Sequence, residues 1–372
     1  MTYQLTCSIP ASQIHYEIKI GRHILNDLSK FLKPFGHKFA LIADTITGPL
    51  YGEKIKEMLL KEGLEASLFT FPSGEAYKTR ATKENLENQL FEKGLGRDTC
   101  LLAVGGGVVT DLAGFIAATY CRGIPLVMLP TTLLGMVDAS IGGKTGVNTP
   151  RGKNLVGCIY QPQLVIMDVS TLGSLSREEI KNGAVEMIKH GLIADASYFS
   201  YLALHSDRLL ALESAILQKA IYESCRIKKE MVEQDEKERG KRHLLNFGHT
   251  IGHALEHLTH YELSHGEAVA IGILVESYLA LIKGCLSQHS FDQIRDILRK
   301  YALPLRLPRR ISYEALFQAM ILDKKSCHGK PRFVMLQEIG DPFIPHSNYC
   351  VPIEDELIKQ AVEWMDHALC GN

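Results

Sequence analysis

The stretch Arg242–Glu267, RHLLNFGHTIGHALEHLTHYELSHGE, constrains this chain more than any other. It holds six of the fifteen histidines, at 243, 249, 253, 257, 260 and 265. His249, His253 and His257 recur every four residues, so on a helix they lie along one face. Two imidazoles one turn apart can grip a divalent metal. A solvated polar face is the plainer account of a lone histidine pair. Here, however, the run is embedded in apolar helix (Ile251, Ala254, Leu255, Leu258), and a second apolar helix, Ala268–Ile282, opens directly after His265-Gly266-Glu267. A metal site inside a helical core follows. In GAVEMIKHG, Glu186 and Lys189 sit three apart and share a helix face. Such a pair is ordinarily a structural ion pair, yet a site seeded by two histidines needs a third protein ligand, and two His with one Glu is a common catalytic zinc set.

The first 170 residues have a different texture. Apolar runs at Tyr16–Ile20, Lys38–Asp44, Ala66–Phe71, Thr99–Val104, Pro125–Pro130 and Leu164–Asp168 read as strands, several buried on both faces. Helical patterns fall between them at Gly52–Glu62 and Thr82–Lys93 and from near Val108. Strand Thr99–Val104 runs into Gly105-Gly106-Gly107 and then a helix carrying Asp111. That arrangement lets backbone N–H groups and a helix N-terminus approach a pyrophosphate, although it is not the G-x-G-x-x-G fingerprint. Asp44, ending an earlier strand, suits a ribose hydroxyl and would favour NAD over NADP. Pro150–Gly157, PRGKNLVG, reads as a basic, glycine-punctuated loop.

Beyond Thr171 nearly everything reads as helix: Arg177–His190, Ser197–Leu204, Leu209–Glu233, Phe247–Leu258, Ala268–Lys283 and Phe291–Lys300. The expected fold is therefore α/β + α. A Rossmann-like, mostly parallel α/β nucleotide-binding domain (1–170) precedes an all-helical metal- and substrate-binding domain (171–372), with the site in the cleft between them. A formal charge of -1 argues against nucleic-acid or membrane-surface partners. Nine scattered cysteines without a Cys-x-x-Cys pair fit the free thiols of a reducing compartment. No uninterrupted apolar run reaches the roughly 18 residues that span a bilayer, and no secretory signal is evident, so a cytoplasmic protein is expected.

Seven ordered motifs carry a specific resemblance: SGEAYKT, GGGVVTDLAGFIAA, LPTTLLGMVDASIGGKTGVN, NGAVEMIKHG, LLNFGHTIGHALEH, LSHGEAVAIG and DKK. Nearly end to end, the chain resembles the 3-dehydroquinate synthases, within the sugar phosphate cyclases. The resemblance implies a homodimer with NAD and one divalent metal, zinc or cobalt, between the two domains. It makes Glu186, His249 and His265 the metal ligands, departing from the spacing argument that pairs His249 with His253. His253 would instead face substrate as a hydrogen-bonding and proton-transfer group, while His190, His243, His257 and His260 would be structural.

The implied substrate, 3-deoxy-D-arabino-heptulosonate 7-phosphate, carries a carboxylate and a phosphate and so needs several cations. By motif position these are Lys144, Lys189, Lys228, Arg242 and one or both of Lys324 and Lys325. Asn154 and Asn246 would be neutral donors, and Arg122 would reach the neighbouring subunit's site. Implied NAD contacts are Asp44, Glu75, Lys78, Gly105, Gly106, Gly107, Asp111, Thr131, Thr132, Lys144, Lys153, Glu179 and Asn182, with Asp138 at the junction of nicotinamide and substrate. Ile46 stands where the family often has Asn. The implied reaction is transient oxidation at C5, phosphate elimination, re-reduction, ring opening and aldol closure, a carbon–oxygen lyase reaction. Rival readings are another sugar phosphate cyclase, whose substrate lacks the carboxylate, a metal-dependent alcohol or glycerol dehydrogenase, and a non-catalytic sensor.

Overall fold

The computed structural model of the chain describes residues 14–260, 262–322 and 330–370. Its strands are β1 (Glu17–Gly21), β2 (Lys38–Asp44), β3 (Glu65–Phe71), β4 (Thr99–Gly105), β5 (Leu126–Pro130), β6 (Lys144–Thr149), β7 (Gly152–Ile159) and β8 (Leu164–Asp168). Six of them form one parallel sheet in the order β1-β8-β5-β4-β2-β3. The four inner strands are mostly apolar because both faces are covered, whereas the edge strands β1 and β3 carry Glu17, Lys19 and Glu65. Phe39, Leu41, Ala43, Leu102 and Val104 point toward α1 (Leu28–Leu32) and α2 (Glu53–Lys61). Their alternates, Ala40, Ile42, Leu101 and Ala103, point toward α3 (Arg80–Glu92) and α4 (Gly107–Thr119).

The second half is built on that latter face. It contains α5 (Arg177–Ala194), α6 (Ala196–Leu204), α7 (Ser206–Leu210), α8 (Ser214–Gln234), α9 (His249–Leu258), α10 (His265–Ile282), α11 (Gln288–Lys300), α12 (Tyr313–Leu322) and α13 (Asp355–Leu369). Short strand pairs, β9 (Arg332–Phe333) with β12 (Val351–Pro352) and β10 (Leu336–Glu338) with β11 (Asp341–Pro342), sit among the helices. One continuous apolar core runs from α4 through α5 and α10 to α13. Helix α10 is long and apolar enough to cross a membrane, but 72% of it is buried inside the fold as a core helix.

Several segments differ from the sequence expectation, among them the four short strands β9–β12 in the half expected to be all-helical. Pro150–Gly157 is not a loop: β7 pairs antiparallel with β6 in a hairpin that lies on α4. The single helix expected over Leu209–Glu233 is broken into α7 and α8 at Leu212, whose φ of 55° lies in the left-handed region.

Helices α9 and α10 cross with almost nothing between them. A Cβ on Gly272 would lie 1.9 Å from the Gly248 carbonyl oxygen, and one on Gly248 would lie 2.8 Å from the Ile273 nitrogen. Gly248 also takes φ +78°, which glycine adopts without strain. The contact fixes the N-terminus of α9 against the middle of α10.

Candidate active site

The sheet's strand order reverses between β2 and β4, and in open parallel sheets ligands bind at the carboxyl ends beside such a reversal. Gly105 ends β4 and Gly107 begins α4, so the glycine turn and the first N–H groups of a helix stand at that crevice. A Cβ on Gly106 would sit 2.9 Å from Thr132 Cγ2, and Thr131 donates its N–H to the Gly105 carbonyl at 3.0 Å. The turn is therefore closed against the threonine pair, a cradle that only glycine leaves open. Asp44 ends β2 across the crevice. Its Oδ1 accepts the N–H groups of Ile46 (2.9 Å) and Thr47 (2.7 Å), so the carboxylate is held in place while Oδ2 has no partner among the described residues. Beside α4, Lys78 is 3% exposed between Glu75 (3.1 Å) and Asp111 (3.0 Å), and Asn148 donates to Glu75 at 2.7 Å. One buried ammonium is thus shared by two carboxylates.

The metal candidates converge from three helices. Helix α5 is capped by Ser176, which accepts the Glu179 N–H, and carries Glu186 at 0% exposure. Helix α9 begins at His249. Helix α10 begins at His265, under a reciprocal Ser264/Glu267 cap. The Nε2 atoms of His249 and His265 lie 3.5 and 3.6 Å from the same Glu186 oxygen, Oε1. Ligand atoms of the three residues all lie within 4.8 Å of one another. Among the described residues no group donates a hydrogen bond to either Glu186 oxygen, although the Lys189 ammonium is in ion-pair contact with Oε2. A buried carboxylate facing two imidazole nitrogens, one oxygen otherwise unsatisfied, is a donor set that fits a divalent cation. Burial opposes ionisation of Glu186, but the Lys189 ammonium and the His265 imidazole outweigh it and hold the carboxyl low. His253 stands beside the trio, its ring 5.2 Å from that of His249 and 6.3 Å from that of His265.

The two ends meet at Asp138. Ala139 lies in van der Waals range of a Cβ on Gly107, while Asp138 itself has a carboxylate oxygen within 4.8 Å of ligand atoms of Glu186 and His190. Lys228, 5% exposed, is in ion-pair and hydrogen-bond contact with Asp138. Burial would raise the Asp138 carboxyl, but Lys228 and Lys189 keep it ionised. His190 is fully buried; its Nδ1 lies 2.7 Å from Ser224 Oγ and its Nε2 has no hydrogen-bond partner among the described residues. Burial, and then the Lys189 charge, push the imidazole down to about 3.

Because the unfolded chain protonates His190 near pH 6.5 and the folded one near 3, its contribution to stability is complete above 6.5 and is lost as pH falls from there toward 3. Urea unfolding at pH 6.5, 5.5 and 4.5 should show the protein losing about 1.4 kcal/mol per pH unit more than His190→Gln. Parallel slopes would mean that His190 is not neutral in the fold.

Among the remaining candidates, Lys144 pairs with Glu238, and Asn246 donates to the other oxygen of the same carboxylate at 3.0 Å. Lys153, on β7, reaches Glu256 at 3.1 Å, and Glu256 lies 3.3 Å from His265 Nδ1. Burial would raise Glu256, but His265 and then Lys153 bring it down to about 2. Glu238 and Glu256 were not among the sequence candidates, yet each holds groups that were. Asn182 accepts from Ser264 Oγ (2.9 Å) and the Gly266 N–H (3.1 Å), seating the start of α10 on α5, and donates to Glu179 at 3.4 Å. Arg242 is 1% exposed and clipped by the Glu236 and Gly142 carbonyls, and its Nε has no partner among the described residues. Asn154, on β7, and Arg122, in the turn after α4, are both exposed, and the Asn154 N–H donates to Asn148 Oδ1 at 3.0 Å. Lys324 and Lys325 lie outside the described residues.

Known proteins align with both halves. Family models described as 3-dehydroquinate synthase N-terminal and C-terminal match residues 68–182 and 183–326. A 3-dehydroquinate synthase from Desulforamulus reducens is 42% identical over 338 residues, 90% of this chain and 94% of that protein. One from Synechococcus sp. is 42% identical over the full length of both. Among solved structures, ValA, a 2-epi-5-epi-valiolone synthase from Streptomyces hygroscopicus with NAD+ and Zn2+ bound, superposes with a TM-score of 0.88 at 27% identity, covering 98% of this chain and all of that one. A 2-deoxy-scyllo-inosose synthase complexed with carbaglucose-6-phosphate, NAD+ and Co2+ gives 0.83 at 26%, covering 93% and 96%.

Proposed function

Because the chain belongs to the 3-dehydroquinate synthase family, we propose that it converts 3-deoxy-D-arabino-heptulosonate 7-phosphate to 3-dehydroquinate and phosphate, as a carbon–oxygen lyase of the cytoplasm. One observation carries the site assignment: a buried Glu186 faces the imidazoles of His249 and His265 a few ångströms from Asp138, at the crevice bordered by the glycine turn. NAD, held by Asp44, the glycine turn and Thr131–Thr132, supplies a hydride acceptor, and a zinc or cobalt ion held by Glu186, His249 and His265 supplies Lewis acidity toward a substrate hydroxyl.

The chain's own groups do the rest. Lys189, Lys228 and Lys144 give an anionic substrate charged partners that cost little reorganisation, because Glu186, Asp138 and Glu238 already fix their positions. Asn246 adds a neutral donor on the Glu238 side. His253, beside the trio but outside it, hydrogen-bonds substrate and moves a proton. Arg242 acts chiefly by holding the Gly142 and Glu236 loops together. Orientation is the main contribution, since one flexible substrate must pass through several reactive poses.

The testing assay supplies NAD+, zinc and the heptulosonate phosphate, and follows phosphate release beside NADH absorbance. Phosphate without net NADH is expected; net NADH would indicate a dehydrogenase. Turnover of heptose or hexose phosphates lacking the carboxylate, in place of the heptulosonate, would indicate another cyclase. The same proposal takes the enzyme as a homodimer in which Arg122 completes the neighbouring site. Arg122→Ala should lower kcat/KM by about 10–100-fold, the worth of one lost charged contact, with zinc affinity unchanged. Full activity would leave Arg122 outside the site.

A further inference from the structure

Glu276 is a carboxylate that the chemistry above does not use, and it lies in the middle of α10 with 0% exposure. Its Oε2 accepts the Gly248 N–H at 2.9 Å, and its Oε1 accepts the Ile251 N–H at 3.5 Å. These are the N-cap and third residues of α9, and the N-cap, being glycine, has no side chain of its own to offer. Glu276 therefore does from the neighbouring helix what a capping side chain does locally.

The peptide unit carrying the Gly248 N–H ends in the Phe247 carbonyl, and that carbonyl lies 3.1 Å from His249 Nδ1. A carbonyl oxygen only accepts, so Nδ1 carries a hydrogen, and in the neutral imidazole the lone pair is then on Nε2. Nε2 is the atom that faces Glu186. Hydrogen bonds chained through one planar amide polarise one another in the same direction.

We propose that Glu276, the Phe247–Gly248 peptide and His249 form a relay that fixes the His249 tautomer and strengthens Nε2 as a donor to a divalent ion, with Glu276 as a positioning residue. It is the carboxylate–histidine–metal arrangement with an amide interposed. The inference rests on His249 being a ligand, as proposed above. The fold supports it from a second side. Glu276 follows His265 by eleven positions, about three helical turns, so one rigid helix carries one imidazole and orients the other. The close approach of Gly272 to Gly248 brings the carboxylate within reach.

Glu276→Gln keeps an acceptor of the same shape and removes the charge. Metal-free protein titrated with zinc against a chromophoric chelator should bind about tenfold more weakly, the lower end of what outer partners contribute. The visible bands of the cobalt-loaded variant should shift as well. A lower melting temperature with unchanged zinc affinity and cobalt bands would overturn the relay and leave Glu276 only a cap. His249→Ala in the same titration separates the premises: if zinc still binds at full strength, the ligand assignment has failed, not the relay. A measurement on the unaltered protein needs no variant to fold. Histidine 15N spectra of the metal-free protein should show His249 as the Nδ1–H tautomer, and an Nε2–H tautomer would refute the proposal.

Discussion

Alanine at Lys189 should produce two losses that zinc separates. Glu186 is wholly buried and Lys189 is 1% exposed in ion-pair contact with it. Removing one partner of a buried pair strands the other, at a cost of about 3–5 kcal/mol. In a chain of this size that lowers the melting temperature of metal-free protein by roughly 4–6 °C. Zinc places a new positive charge against the same carboxylate, so saturating zinc should recover most of the loss. Turnover should not recover: kcat/KM for the heptulosonate phosphate should stay on the order of 10³-fold down, because a preorganised cation is gone from the site. Calorimetry with and without zinc, beside phosphate release, checks both. Metal-free Lys189→Ala as stable as wild type would mean that Lys189 is not the counter-ion, and wild-type turnover would remove it from the site.

A single methyl group at Gly272 should do still more harm to folding. The added Cβ would meet the Gly248 carbonyl oxygen at 1.9 Å and the Gly252 nitrogen at 3.0 Å, both backbone atoms that cannot rotate away. Helices α9 and α10 must then part, which places Gly272→Ala in the exceptional class above about 4 kcal/mol. The same movement carries His249 away from Glu186, so surviving protein should bind zinc poorly. Gly173→Ala is the matched control: nothing lies within 4 Å of its Cβ, and its stability should change by less than about 0.5 kcal/mol. Equal unfolding curves for the two variants would contradict the crossing described here.

The sheet was legible because a parallel strand covered on both faces is a simple apolar run, and Lys38–Asp44 and Leu164–Asp168 are strands to the residue. The β6–β7 hairpin was not. Its outer face is solvated and β7 carries glycine, lysine and asparagine, so it lacks the apolar alternation by which a strand is recognised. His265 begins the helix three residues before the apolar run that opens at Ala268; Ser264 and Glu267 are the S-x-x-E signature of that start. Periodicity alone pairs His249 with His253, whereas family likeness groups His249 and His265 with Glu186, and it is these two imidazoles whose Nε2 atoms face Glu186 Oε1. A four-residue spacing places side chains on one face but does not say which ring atom aims where. Glu238, Glu256 and Glu276 were invisible for a related reason. Each matters through a partner on another segment, and an isolated acid in a helix or loop carries no mark of what it will meet.

The glycine crossing has an evolutionary consequence. Ordinary core contacts can drift, because a larger side chain on one element is accommodated by trimming the one opposite. Where Gly248 and Gly272 meet there is nothing left to trim. Neither position can be rescued by a second substitution across the interface, so the two helices that carry the imidazoles are bound to a single separation while the surface around them is free to diversify.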